Sequence, residues 1–302
     1  MKKKYKMIKR AAALLMAAVF ALGSGATALA ESEYEATVAL GADLTSDQRS
    51  TVLALLGLSE DDLENYNVIY VTNDEEHEYL DDYLSSDVIG TRALSSVLIV
   101  PGEDGDGLSV TTYNISYCTV SMYTNALITA GLEDAEVYVA GPTSISGTSA
   151  LIGAVKAYAD ITDTEIDEEA LETAVNEIVV TGDLGESIGD SDTASEIIAY
   201  VKQQVAENDD VTDEELEEII NEVAAEYGVT LTADQIQQII DLMDKVSGLD
   251  LDVDALASQA SEIYEKLQSM GIDLEDIDTE QVGNFITRFF NQIMNFLNSL
   301  IG

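Results

Sequence analysis

The side chains most often recruited as nucleophile and base occur once each: Cys118 in SYCTVSM and His77 in NDEEHEYLDD. A cysteine nucleophile needs a base to make its thiolate. His77 is crowded by carboxylates that raise its pKa, which suits a solvated helix face, and Cys118 follows a strand-like run where it reads as a small buried hydrophobe. The segment Gly141-Pro142-Thr143-Ser144-Ile145-Ser146-Gly147-Thr148-Ser149 is dense in hydroxyls and glycines and joins a strand to a helix. Backbone N–H groups at a helix start hold anions and hydroxyls add donors, so Thr143, Ser144, Ser146, Gly147 and Thr148 are the candidate ligand-binding residues. The segment lacks the Gly-Lys pair of a phosphate loop and the three-glycine spacing of a dinucleotide site, and hydroxyls at a helix start are also ordinary caps.

Acidic clusters invite calcium. Asp250, Asp252 and Asp254 alternate, and Glu103, Asp104 and Asp106 sit in a Gly-rich turn. Neither completes the twelve-residue calcium loop, because the sixth position after Asp250 is Ala255 and the twelfth is Ser261 where Gly and Glu are needed. No metal site and no cofactor are therefore assigned, and diffuse condensation of divalent cations is the expected metal chemistry. Among 58 acids some pair falls at any separation, so carboxylate pairs for glycoside hydrolysis carry no information by count. Tyr66 with Tyr70, and Tyr113 with Tyr117, share strand faces by even spacing, as a binding patch or, more simply, a half-buried sheet rim.

The final segment differs in kind. Val282–Ile301 holds four of the five Phe, no acid and one base, Arg288. At helical spacing Phe285, Ile286, Phe289, Phe290, Ile293, Leu297 and Leu300 fall on one apolar side, opposite an Asn-rich face. Such a helix docks on its own chain, binds a second copy or an envelope protein, or inserts at a neutral membrane interface.

Those residues sit in a chain of 302 with a formal charge of −45. Phosphate backbones and anionic lipid surfaces are repelled by such a charge, so neither nucleic acid nor an anionic membrane is an expected partner. Hydrophobic content of 46% allows a real core. One Cys makes no intramolecular disulfide, one His no multi-histidine metal site, and the lack of Trp removes the usual stacking platform for sugars. Residues 1–10 carry six of the 13 basic residues, an apolar run follows to Gly23, and Ala28-Leu29-Ala30 precedes Glu31. This is the three-part pattern of a secretory signal peptide, cleaved after Ala30, and the apolar run is too short to span a membrane. Removing it leaves 7 basic against 58 acidic side chains, a net charge of −51 on the exported protein.

Four segments follow: a signal peptide (1–30), a mixed α/β module (31–160), an acidic helical array (161–280) and the terminal amphipathic helix (281–302). The fold class expected is α+β or α/β, a mixed sheet module before an all-helical module. Thr45 and Gln48 frame a capping box and Gly57 ends that helix. Strands are expected at Tyr66–Thr72, Ser95–Val100, after Gly107 and at Ala135–Ala140, with helices at 74–84, 120–130 and 148–159. The turn-rich Pro101–Gly107 predicts a hairpin between the strands on either side of it. Beyond Asp160 no strand is expected, Thr162, Thr212 and Thr232 read as helix caps, and Gly228, Gly248 and Gly271 as helix stops.

VALGADLTSDQRSTVLALLG (38–57) and YTNALITAGLEDAEVYVAGPTSISGTSALIGAVKAY (123–158) resemble the exported YpuA-like proteins of Firmicutes, the family catalogued as domain of unknown function 1002. The resemblance implies an extracytoplasmic protein of a Gram-positive cell envelope and brings no catalytic residues with it. The sequence thus supports an exported non-enzymatic interaction or binding module first, and a carboxylate- or metal-dependent extracytoplasmic hydrolase second.

Overall fold

A computed structural model describes residues 36–103, 106–162, 166–207, 211–249 and 251. The signal-peptide pattern, the Asp250, Asp252 and Asp254 cluster and the terminal amphipathic segment lie outside the described residues.

Five strands, β1 (Thr37–Gly41), β2 (Asn67–Val71), β3 (Ser96–Pro101), β4 (Leu108–Ile115) and β5 (Ala135–Ile145), form one mixed sheet in the order β2-β1-β3-β5-β4. The outer pairs β1–β2 and β4–β5 are parallel, while β1–β3 and β3–β5 are antiparallel. Helices separate the members of each parallel pair, as that pairing requires. The expected β3–β4 hairpin is not formed: β5 inserts between them. The reason lies in β5 itself, whose Val137 and Val139 are fully buried, so this eleven-residue strand takes an interior position and leaves the half-exposed β4 at the edge.

Alternation along the strands loads both faces. Val38, Leu40, Leu98 and Ala140 meet helix α1 (Ser46–Leu55) on one side. Ala39, Val71, Val97, Val137 and Val139 face the other, where α4 (Val120–Thr129) and α5 (Thr148–Thr162) pack. Helix α5 approaches closely because Gly153 has no side chain: a Cβ there would lie 2.9 Å from Ala39 Cβ. Two short helices, α2 (Asn73–Leu80) and α3 (Ser86–Ile89), connect β2 to β3.

Four further helices follow: α6 (Glu168–Ile188), α7 (Ser191–Glu207), α8 (Asp213–Glu226) and α9 (Ala233–Val246). The N-terminal half of α6 places Leu171, Ala174, Val175 and Ile178 in the sheet's core. Its C-terminal half places Val180 and Leu184 in a second core with Ile197, Val201, Ile220 and Met243. One 21-residue helix is thus a spar shared by both cores. Capping boxes start α1 at Thr45, α8 at Thr212 and α9 at Thr232, and a further box at Thr72 and Glu75 starts α2. Thr162 is the last residue of α5, its hydroxyl donating to the Tyr158 carbonyl, and Asp167 caps α6.

Candidate functional site

The ends of these elements line an open cavity of about 410 Å³ at the start of α5. Its walls are the α3 segment from Asp87 to Arg92, the approach to β3 at Leu94 and Ser95, and Ser116 and Tyr117 beyond β4. Ile145, Ser146, Thr148 and Ser149 form the opposite side and Glu76 the floor.

Only Ser146 and Gly147 separate β5 from α5, because β5 runs on to Ile145. The hydroxyl-rich segment is therefore mostly strand, and Thr143 and Ser144 are exposed strand residues outside the cavity lining. Ser146 and Thr148 line the cavity, and Gly147 sets the turn between them. Gly147 has φ +104°, and a Cβ there would meet Tyr123 Oη at 2.5 Å and Ile115 at 2.7 Å, so the tight entry into α5 needs glycine. The Tyr123 hydroxyl donates to the Gly147 carbonyl from below and fixes that turn.

The first turn of α5 is held by side chains. Ser95 Oγ accepts from the Ala150 N–H at 2.9 Å, and Ser149 Oγ accepts from the Ser95 N–H at 3.1 Å, with 2.7 Å between the two hydroxyl oxygens. This reciprocal arrangement satisfies a helix-start donor that would otherwise be orphaned. Thr148 Oγ1 donates to Glu76 Oε1 at 2.8 Å, and Asn73 Nδ2 donates to Glu76 Oε2 at 3.1 Å. Glu76 is 1% exposed, and burial pushes its carboxyl above the usual range against the opposing pull of Thr148, Asn73 and the neighbouring His77. Among the described residues no lysine or arginine pairs with this carboxyl, and a carboxyl bordering open volume has lone pairs to offer a donor.

His77 supports the opposite wall. Nδ1 lies 2.6 Å from Asp81 Oδ1 and Nε2 lies 3.2 Å from the Gly90 carbonyl, in the cavity lining. Both partners are acceptors, so the arrangement is complete only in the imidazolium, and the hydrogen bond to Asp81 first of all raises the His77 pKa. Cys118 is 1% exposed and burial pushes its thiol up to about 12, so it is inert packing, as its sequence context implied.

The other candidates dissolve into structure. The backbone irregularity at Asn114, φ 59°, shifts the β4 register, so Tyr113 packs toward α1 while Tyr117 packs toward the opposite core. The expected Tyr113–Tyr117 shared face does not exist. Tyr66 and Tyr70 do share a face: Tyr66 packs on the α1 side, and Tyr70, exposed at its rim, is hydrogen-bonded to Arg49 of α1, which fits a half-buried sheet rim. In the Pro101–Gly107 turn Asp106 accepts from the Glu103 N–H. Among the described residues no group of three or more His, Cys, Asp or Glu could hold a metal ion, and no helix is long and apolar enough to cross a membrane.

Glu76, Ser95 and Arg92 were not found from sequence. Glu76 and Leu80 are one helical turn apart and both buried, a spacing that could have drawn attention to this acid. It was hidden because its neighbours Asp74, Glu75 and Glu78 make the helix read as uniformly solvated.

Residues 40–263 match the family model described as "Protein of unknown function (DUF1002)". The chain is 36% identical over 292 residues, 95% of its length and 96% of the relative's, to "Uncharacterized protein YpuA" of Bacillus subtilis (strain 168). No solved structure matches the chain. With three quarters of its length inside that model and a near full-length relative, the chain belongs to the DUF1002 family.

Proposed function

We propose that this protein is an exported cell-envelope binding module that takes a small polar molecule into the cavity at the start of α5. One observation carries the reading: hydroxyls from three separate parts of the chain, Ser95, Ser116 and Ser146 with Thr148 and Ser149, converge with the buried Glu76 on one open volume. Small-molecule sites have this character, a concave space of roughly 300–1,000 Å³ with a few placed polar groups. Export rests on the N-terminal sequence pattern and on the family resemblance. A second reading, hydrolysis, is favoured by the two carboxyls of Glu76 and Asp87 in the same cavity. Thr148 Oγ1 does donate to Glu76 at 2.8 Å, but the raised pKa suits Glu76 to holding or giving a proton more than to activating that hydroxyl, and binding without turnover is preferred.

The test is a thermal-denaturation screen of small polar molecules, run on the wild type and on Ser146→Trp, whose indole would fill the cavity mouth. A compound that raises the midpoint of the wild type and not of the folded variant supports the site. A compound that stabilises both equally, or an unchanged midpoint throughout the screen, counts against it, and consumption of the compound during incubation would favour the hydrolase.

A further inference from the structure

Five basic side chains lie among the described residues of this strongly acidic chain. Four are engaged. Arg49 donates to Glu60 and Tyr70, Lys156 to Glu75, Lys202 to Glu177 and Lys245 to Asn176. Arg92 makes no hydrogen bond or ion pair among the described residues, although it sits exposed in the cavity wall with five donors in a planar fork. On the same wall, five residues earlier, the exposed carboxylate of Asp87 is equally without a partner. The two opposite charges border one cavity without pairing with each other.

Resting on the cavity being a ligand site, we propose that its ligand is a small zwitterion bearing both a primary ammonium and a carboxylate, a free amino acid or a short peptide. The ligand's carboxylate lies on the Arg92 fork, a geometry that guanidinium matches with two parallel hydrogen bonds. Its ammonium lies toward Asp87, and the Ser146 and Thr148 hydroxyls serve the polar atoms between. The charges of the wall explain the choice. A purely anionic ligand would meet Arg92 but also Asp87 and Glu76, and a neutral polyol would leave both wall charges uncompensated. A zwitterion satisfies each with one group.

Calorimetric titration of the full chain with alanine, alanyl-alanine, N-acetyl-alanyl-alanine and alanyl-alaninamide reads this directly. Capping either terminus should weaken binding by about tenfold or more, the worth of one charge-assisted hydrogen bond, and comparing alanine with alanyl-alanine decides between amino acid and peptide. In Arg92→Gln the amide and the free acid should bind alike, and in Asp87→Asn the acetylated and free amines should bind alike. A merely structural role for these residues would weaken all four compounds together. Equal binding of capped and free forms by the wild type overturns the zwitterion. If none of the four binds while a neutral or anionic compound stabilises the wild type and not Ser146→Trp, the zwitterion is likewise wrong and the cavity remains a site; if nothing binds at all, the site itself is refuted.

Discussion

Glu76 and Glu177 are each 1% exposed, yet the molecule surrounds them differently. Glu177 on α6 meets Lys202 of α7 at 2.8 Å, with both side chains out of solvent. Lys202 Nζ also donates to the Asn125 carbonyl at 2.8 Å and to Thr129 Oγ1 at 3.0 Å, and the Thr129 hydroxyl donates to the second Glu177 oxygen. All three ammonium donors are used, and the ring ties α4, under the sheet, to α6 and α7. Burial lowers the Lys202 pKa while Glu177 holds it up. Glu76, by contrast, is met by the neutral groups of Asn73, Thr148 and Ser149, has no buried lysine against it, and borders a cavity. A sealed polar cluster fixes how helices meet; one that opens on a void keeps valence for something else.

The largest effect expected is at the sealed cluster. Lys202→Met leaves the Glu177 charge buried alone and should cost about 3–5 kcal/mol by chemical denaturation, whereas Lys202→Met combined with Glu177→Leu should recover most of that loss. A single variant that loses less than about 1 kcal/mol would mean the ring contributes little to holding α4 against α6 and α7.

Next comes the turn beside the open cluster. Gly147→Ala forces a side chain into a positive-φ position against Tyr123 and should cost about 1–3 kcal/mol. Because it displaces Ser146 and Thr148, it should also abolish any ligand-induced rise in melting temperature, an effect that Lys202→Met should not have beyond its general destabilisation.

Glu76→Gln sharpens the contrast at smaller cost. Burial raises the folded pKa of Glu76 above its unfolded value, so the native state takes up this proton first as pH falls. Wild-type stability should therefore gain, from this group, between the raised folded pKa and about 4.3, the ordinary glutamate value, and the variant should lack that gain. Parallel denaturation curves from neutral pH downward measure the difference; identical pH profiles would show that Glu76 is not buried as described.

The smallest effect belongs to His77, which is partly exposed. Its folded pKa is raised, so its contribution is complete below the ordinary value of about 6.5 and disappears as pH rises through the folded value. Replacing Asp81 with Asn should bring the imidazole titration, followed by NMR, back toward the ordinary value.

What the sequence made legible was local. The boxes at Thr45, Thr212 and Thr232 rest on residues three apart, and each is present as read. The strand order was not legible, because β5 takes an interior position through the buried Val137 and Val139, which a turn motif at Pro101–Gly107 does not report. The same limit applies at the site. Ser146 and Thr148 stood out by type and position before a helix, but Glu76 and Ser95 join them from 72 and 54 residues away in sequence, measured to Thr148 and Ser149. Arg92 matters only through what is missing around it, which no motif encodes.

On this reading the cluster around Glu76 faces a ligand whereas that around Glu177 faces only protein. Amide hydrogen exchange on the full chain, with and without the best compound from the screen, tests it most directly. Exchange should slow chiefly in residues 87–95, 116–117 and 145–150, with the amides around Glu177 and Lys202 already slow and unchanged. Protection spread evenly over the molecule, or centred on α6 and α7 with the cavity segments unaffected, would contradict it.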